Sequence, residues 1–431
     1  MKRIRPLLCI LLICVMFTGC SFNLATSTSD LISAVSPFGE NAEIKKALDN
    51  YLGGGYILKN PSFGDYITSY NFYDLDNDGE DEAVAFYQTK DALNTVNMAL
   101  IKKYDKRWQV DAVTQGLGTG AYRLDFCDIN NDSSLDILVC WNSISNSTNH
   151  TFAAYEIIFE DGAYSFSQIG ESKVINNFTI VDFDSNGNNE ILFFEINTGT
   201  KTTAKAELYD LSNNRFNLIG ETKLDSRVIS YTNIKQEKAE NDIRIYADAL
   251  GSSGDSKLTE IIYYSNSYKS IVSPFYSYSS GVTSGTSRSC LVNCEDIDKD
   301  ELIEIPTDDN RDFGDGVVSI DWKIYKNTVL MHKAYSLYVK EDRYTVIIPD
   351  EYYDKISADY DSENRELFVY NENGEPIFSV TPKLKALFDE DEPNGYSIIA
   401  RQSGYYYLAK TYEQSSVEID ENMLEKLIII C

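Results

Sequence analysis

Four acidic stretches recur along this 431-residue chain: "DLDNDGEDE" from Asp74, "DINNDSSLD" from Asp128, "DFDSNGNNE" from Asp182 and "DIDKDELIE" from Asp296. Their starts lie 54, 54 and 114 residues apart, and 114 is twice 57. A fixed period of this length marks a chain built from one supersecondary unit repeated, each unit burying its face against the next. The doubled interval calls for a further unit near residues 233–242. There the chain reads "NIKQEKAENDIRIYA", which keeps the flanking strand pattern and lacks the acidic spacing.

The register within the four copies is strict. Position 1 is Asp74, Asp128, Asp182 and Asp296; position 3 is Asp76, Asn130, Asp184 and Asp298. Position 5 is Asp78, Asp132, Asn186 and Asp300, and position 9 is Glu82, Asp136, Glu190 and Glu304. Position 2 is always apolar. Calcium takes about six to eight oxygens at roughly 2.3–2.6 Å. Side chains at 1, 3 and 5 of a tight loop converge on one point, and a carbonyl at 7 with a carboxylate at 9 completes the shell. Gly79 and Gly187 at position 6 suit the sharp turn, whereas Ser133 and Glu301 suit it less. A helical calcium hand would need Glu at position 12, where this chain has Ala85, Val139, Phe193 and Thr307. Two readings stay open: a strand–loop–strand calcium site, or an acidic hairpin without metal.

The runs after each loop, "AVAFY", "ILVCW" and "ILFFE", are short and rich in β-branched and aromatic residues, and so predict strands. The whole pattern resembles the FG-GAP/VCBS repeats of integrin-α-like β-propellers over roughly residues 60–334. That resemblance implies one small sheet per repeat and calcium in inter-strand loops. The expected fold is mainly β: a propeller of about five units at 41–334, then a small α+β domain at 335–431. "NAEIKKALDNYL" (41–52) predicts an amphipathic helix. Three readings of the propeller stay open: five-bladed, incomplete, or closed by the segment around "GGYILKNPSFGDYITSY". In the last hundred residues, "YTVIIP", "KISADYD", "RELFVYN" and "EPIFSV" read as strands, "TPKLKALFDED" and "DENMLEKLIII" as helices. "DYDSENRE" at 359 is a possible sixth, degenerate copy.

The N-terminus carries a basic stretch "MKRIR", an apolar run "PLLCILLICVMF" and "TGC". The run is too short for a membrane span and has the organisation of an export signal. "FTGC" resembles a bacterial lipobox, which implies signal residues 1–20, lipidation at Cys20 and a tether at 21–40. The expected location is the outer face of a bacterial cell membrane, held by the lipid. A net charge of −29 argues against nucleic acid as a partner. Cys127 and Cys140 could pair; Cys290 and Cys294 stand too far apart on an extended strand. The lack of CxxC, with only His150 and His332 in the chain, argues against a zinc site.

No nucleophile elbow, phosphate loop or H-E-x-x-H occurs, and "GLGTG" (116–120) reads as a turn. His150, in a polar loop, and His332, in a strand, read as structural. The expected function is a calcium-stabilised binding module without catalysis, its ligand an extracellular protein or glycan. The alternatives are a secreted cell-envelope hydrolase acting on polysaccharide or peptide, with carboxylates outside the loops, and an envelope assembly factor.

Overall fold

In the computed structural model, the described residues are 39–143, 148–196, 204–239, 242–387, 395–402, 404–412 and 419–430. The signal, Cys20 and the expected tether as far as residue 38 lie outside them, and Glu40, expected in the tether, opens the first helix. Among the described residues no helix is long and apolar enough to cross a membrane.

The chain is mainly β. Among the described residues, six antiparallel sheets of four or five strands follow one another in sequence, with one two-stranded hairpin between the fourth and fifth. Sheet 1 has the strands Tyr56–Lys59, Asn71–Tyr73, Glu82–Thr89, Asn97–Tyr104 and Arg107–Gln115. The first two pair with opposite ends of Glu82–Thr89, so "YILK" and "NFY" act as one split strand. Sheet 2 runs Ala121–Cys127, Asp136–Asn142, His150–Glu160 and Ala163–Ile175. Sheet 3 runs Asn177–Val181, Glu190–Glu195, Ala204–Ser212 and Arg215–Leu224. Sheet 4 runs Val228–Lys238, Ile243–Gly251, Lys257–Ser265 and Ser270–Val272, and holds the degenerate copy. A segment with the hairpin Tyr276–Ser277/Val282–Thr283 follows. Sheet 4 is the extra unit that accounts for the doubled repeat interval.

Sheet 5 contains Glu304–Asp312, Val317–Lys326, Val329–Val339, Tyr344–Ile348 and, from the far end of the chain, Ile428–Ile430. Sheet 6 contains Ile356–Asp361, Glu366–Asn371, Pro376–Leu384, Ser397–Gln402 and Tyr405–Thr411. The "DYDSENRE" stretch forms its first turn, with Asp361 accepting from the backbone of Glu363 and Asn364. The division expected at 334/335 falls inside the strand Val329–Val339. "TPKLKALFDED" begins as strand and continues into the short 3-10 turn Lys385–Leu387; the rest lies outside the described residues. "DENMLEKLIII" is the helix Glu421–Leu427 followed by strand. The N-terminal helix spans Glu40–Leu52 and buries Ile44, Ala47 and Leu48 against sheet 1.

The cores lie between consecutive sheets. Phe86 and Leu100 of sheet 1 meet Leu124 and Trp141 of sheet 2. The other face of sheet 2, with Leu138 and Phe152, meets Phe178 and Phe193 of sheet 3. Sheets 3 and 4 share Leu192, Phe194, Tyr231 and Ile245; sheets 4 and 5 share Tyr246, Ile261, Ile305 and Tyr325. Leu337 and Val346 of sheet 5 pack with Leu367 and Val380 of sheet 6. Both faces of a middle strand are therefore buried, which explains runs such as "ILVCW" without alternation. Among the described residues, no core cluster joins sheet 6 to sheet 1.

"GLGTG" links sheets 1 and 2, as expected of a turn, and needs its glycines for close approach. A Cβ on Gly116 would lie 2.4 Å from the Trp141 ring, and one on Gly118 2.1 Å from the Asn142 carbonyl. Cys127 and Cys140 are free and buried. Cys127 pairs with Asp136 and Cys140 with Arg123, four rungs away, which on a strand is about 13 Å. His150 starts a buried strand rather than a loop, stacked at 3.6 Å on Tyr122.

Candidate metal hairpins

All four acidic stretches form the hairpin that enters a long core strand: before Glu82–Thr89, Asp136–Asn142, Glu190–Glu195 and Glu304–Asp312. One hydrogen-bond scaffold repeats in each. The carboxylate at position 1 accepts from the backbone N–H of position 6: Gly79 to Asp74, Ser133 to Asp128, Gly187 to Asp182 and Glu301 to Asp296. Position 5 accepts from position 7: Glu80 to Asp78, Ser134 to Asp132, Asn188 to Asn186 and Leu302 to Asp300. Position 9 accepts from the N–H of position 2: Leu75 to Glu82 at 2.9 Å, Ile129 to Asp136 at 3.0 Å, Phe183 to Glu190 at 3.0 Å and Ile297 to Glu304 at 2.9 Å. The apolar residue at position 2 thus anchors the loop while its N–H orients the last acid.

Positions 4 and 6 are left-handed in every copy. Asn77, Asn131, Ser185 and Lys299 have φ of 57°, 61°, 55° and 64°. Ser133 and Glu301 take φ of 74° and 69°, where the other two hairpins use glycine. The turn is therefore kept even where its residue does not favour it.

Three hairpins bring acidic oxygens within 4.8 Å of one another: Asp74, Asp76 and Asp78; Asp182, Asp184 and Glu190; Asp296, Asp298 and Asp300. The second hairpin has Asn130 at position 3, and its amide donates to Asp132 at 3.0 Å. The position-9 acids lie inside the fold: Asp136 is 1% exposed and Glu304 fully buried. Asp136 Oδ1 and Glu304 Oε1 have no hydrogen-bond partner among the described residues. Burial pushes Asp136, Glu190 and Glu304 up to about 7, with neighbouring carboxylates adding to the shift. A buried carboxylate with a bare oxygen beside other acids is short of a cation. An oxygen-only set of carboxylates, amide oxygens and carbonyls suits a hard divalent ion, so the residues fit calcium.

Two lysines enter these sites. Lys102 Nζ lies 2.6 Å from Asp76 Oδ2 and 2.7 Å from Glu82 Oε1, with the residue itself 5% exposed. Burial works against its charge, and the two carboxylate bonds outweigh that, so it is held protonated. Lys333 reaches Asp298 at 2.8 Å and Asp300 at 2.6 Å. Sequence reasoning missed both. It also missed a constant offset: Lys102, Glu156, Asp210 and Ile324 each stand 20 residues after position 9. The signal was present in the sequence, but only the strand pairing gives it meaning.

A cleft of about 250 Å³ opens between the first two hairpins, lined by Asp76, Glu82, Lys102, Asp136, Glu156 and Tyr164 among others. Two aromatic stretches differ in exposure. Tyr278 in "SPFYSYSSG" is 75% exposed, whereas Tyr406 and Tyr407 in "SGYYYLAKTY" are buried.

No family model matches the chain, and no curated protein matches it in sequence. Among solved structures, the Dos1 propeller is similar at 8% identity with a TM-score of 0.32, over 78% of this chain and 81% of that one. The exotype rhamnogalacturonan lyase YesX is similar at 11% identity and TM-score 0.29, over 83% and 72%. Saccharomyces cerevisiae Sqt1 is similar at 9% identity and TM-score 0.32, over 78% and 85%. At such scores the likeness carries no argument, and the architecture rests on the pairing of this chain's own strands.

Proposed function

We propose that this chain is a lipid-anchored, calcium-stabilised binding module on the outer face of a bacterial cell membrane, not an enzyme, built as an open β-propeller of FG-GAP/VCBS-like repeats. The observation that carries the calcium reading is the buried position-9 carboxylate, fixed by the same backbone bond in four hairpins and left with a bare oxygen in two of them. Six consecutive small sheets packed face to face support blades. The lack of a core between the last and first sheets among the described residues supports an open ring. Calcium would hold hairpins that start core strands, and so fix the edges of the blades on which a protein or glycan ligand docks. The anchor rests on the lipobox-like "FTGC" at Cys20.

The test is a thermal melt against calcium, with magnesium and EDTA controls. The expected result is a rise in Tm with calcium, lost when Asp74, Asp128, Asp182 and Asp296 are changed to Ala. A Tm unmoved by millimolar calcium rejects the metal reading and leaves the sheets standing.

A further inference from the structure

The residue that faces position 9 across the sheet differs from copy to copy. In sheet 1, Ala83 pairs with Ile101, and the next residues along are Glu82 and Lys102. In sheet 2, Ile137 pairs with Tyr155, and the next are Asp136 and Glu156. In sheet 3, Ile191 pairs with Tyr209, and the next are Glu190 and Asp210. Sheet 5 places Ile324 opposite Glu304. One rung therefore holds an ion pair in sheet 1 and two like charges in sheets 2 and 3. Directly opposed like charges destabilise a sheet.

The two acidic rungs also carry polar atoms that nothing satisfies. Asp136, 1% exposed, has a buried Oδ1 without a partner, and it lines the cleft beside Glu156. Asp210 Oδ1 is likewise buried and without a partner among the described residues. In sheet 1 the matching place is filled by the Lys102 ammonium, between the acids of positions 3 and 9.

The geometry points to Lys102 as a built-in cation that marks where sheets 2 and 3 each bind a divalent metal ion, with Glu156 and Asp210 as additional ligands from the neighbouring strand. The inference rests on the calcium reading of the hairpins and specifies it. The first hairpin needs no metal, because Lys102 supplies the positive charge. The second gains from Glu156 the carboxylate that Asn130 withholds at position 3. The third gains Asp210 beside Asp182, Asp184 and Glu190. Sheet 5 has no acid opposite position 9, and Lys333 reaches its loop at positions 3 and 5.

The experiment is calcium titration by calorimetry on the full chain, unmodified and with single changes. Asp210→Asn keeps shape and removes charge; it is expected to weaken one calcium site about 10–100-fold, the range for residues that support a metal centre. Asp210→Lys is expected to remove one bound calcium and to raise the Tm in EDTA, because a lysine then serves sheet 3 as Lys102 serves sheet 1. Lys102→Glu is expected to add one calcium. Near-UV circular dichroism checks that each variant is folded, and the isosteric Asp210→Asn decides should a charge reversal unfold the chain. Calcium bound by Asp210→Asn and Asp210→Lys as by the unmodified chain, but lost on Asp182→Ala, overturns this inference and keeps the hairpin reading. No calcium bound by the unmodified chain overturns both.

Discussion

Arg288 and Asp248 form an ion pair at 2.7 Å in which neither side chain is exposed to solvent. It lies in the part of the chain where the repeat has lost its acids. Asp248 Oδ1 also accepts from Thr259 at 2.7 Å, and Oδ2 from the Cys294 N–H at 2.7 Å and Asn233 at 2.9 Å. Burial pushes the carboxyl up, but Arg288 and these donors outweigh it and hold it below the usual range. The pair links Asp248 in sheet 4 to the segment leading into sheet 5. Arg288→Met should cost about 3–5 kcal/mol, because it leaves a buried charge without its partner. Denaturant unfolding checks this. Changing Arg288 and Asp248 together to apolar residues should cost less than Arg288→Met alone.

The position-9 acids give the metal-free chain an unusual dependence on pH. Asp136, Glu190 and Glu304 stand at about 7 when folded, above about 4 when unfolded. Between those values the folded state binds more protons than the unfolded state. Stability should therefore fall as pH rises from about 4 to 7 in EDTA. With calcium bound the carboxylates are ionised and paired, and the fall should be smaller. Tm measured against pH, with and without calcium, reads the difference, and calcium binding near pH 6 should release protons.

His332 is held between two acids, with Nδ1 2.6 Å from Asp321 and Nε2 3.2 Å from Asp350. Desolvation opposes its charge, but the two carboxylates win and raise its pKa. Its contribution to stability should be complete below about 6.5 and lost as pH rises through the folded value. An NMR titration should give a midpoint above that of a free imidazole. Asp350→Asn should lower that midpoint without abolishing it, since Asp321 remains.

Gly116 lies against the face of Trp141, which packs edge-on to Phe86 at 5.6 Å between sheets 1 and 2. Gly116→Ala should cost about 1–3 kcal/mol by overpacking this junction. Chemical denaturation measures it. Gly162→Ala is the control: its Cβ would meet nothing within 4 Å, although its φ of 78° adds a strain that Gly116 does not have.

The repeat made much of this molecule readable. The four hairpins, their strands, the degenerate fourth unit and the helix at 41–52 all follow from spacing and side-chain type. The errors have physical causes. "TPKLKALFDED" has helix-forming residues, yet Pro376–Leu384 pairs with Tyr405–Thr411, and burial of Phe378 and Val380 overrides local preference. The division at 335 failed because sheet 5 takes strands from both sides of it. His150 looked polar from its neighbours, while its ring lies on Tyr122, and burial lowers its pKa to about 4. Lys102, Glu156 and Asp210 escaped notice because a contact across 20 residues becomes visible only when the strand register is known.

The strand Ile428–Ile430 returns to lie beside Tyr344–Ile348, so the chain leaves sheet 5, makes all of sheet 6, and comes back. In genetic terms sheet 6 is an insert carried by its neighbour, not a tail. Cutting away Ile428–Ile430 strips an edge from sheet 5 without touching the strands of sheet 6. Excising residues 350–427 and joining the two flanks by a short turn removes sheet 6 whole and uncovers the face of sheet 5, with Leu337 and Val346, that sheet 6 buries. A whole unit thus leaves this chain by an internal cut, and that cut bares the core of the unit before it.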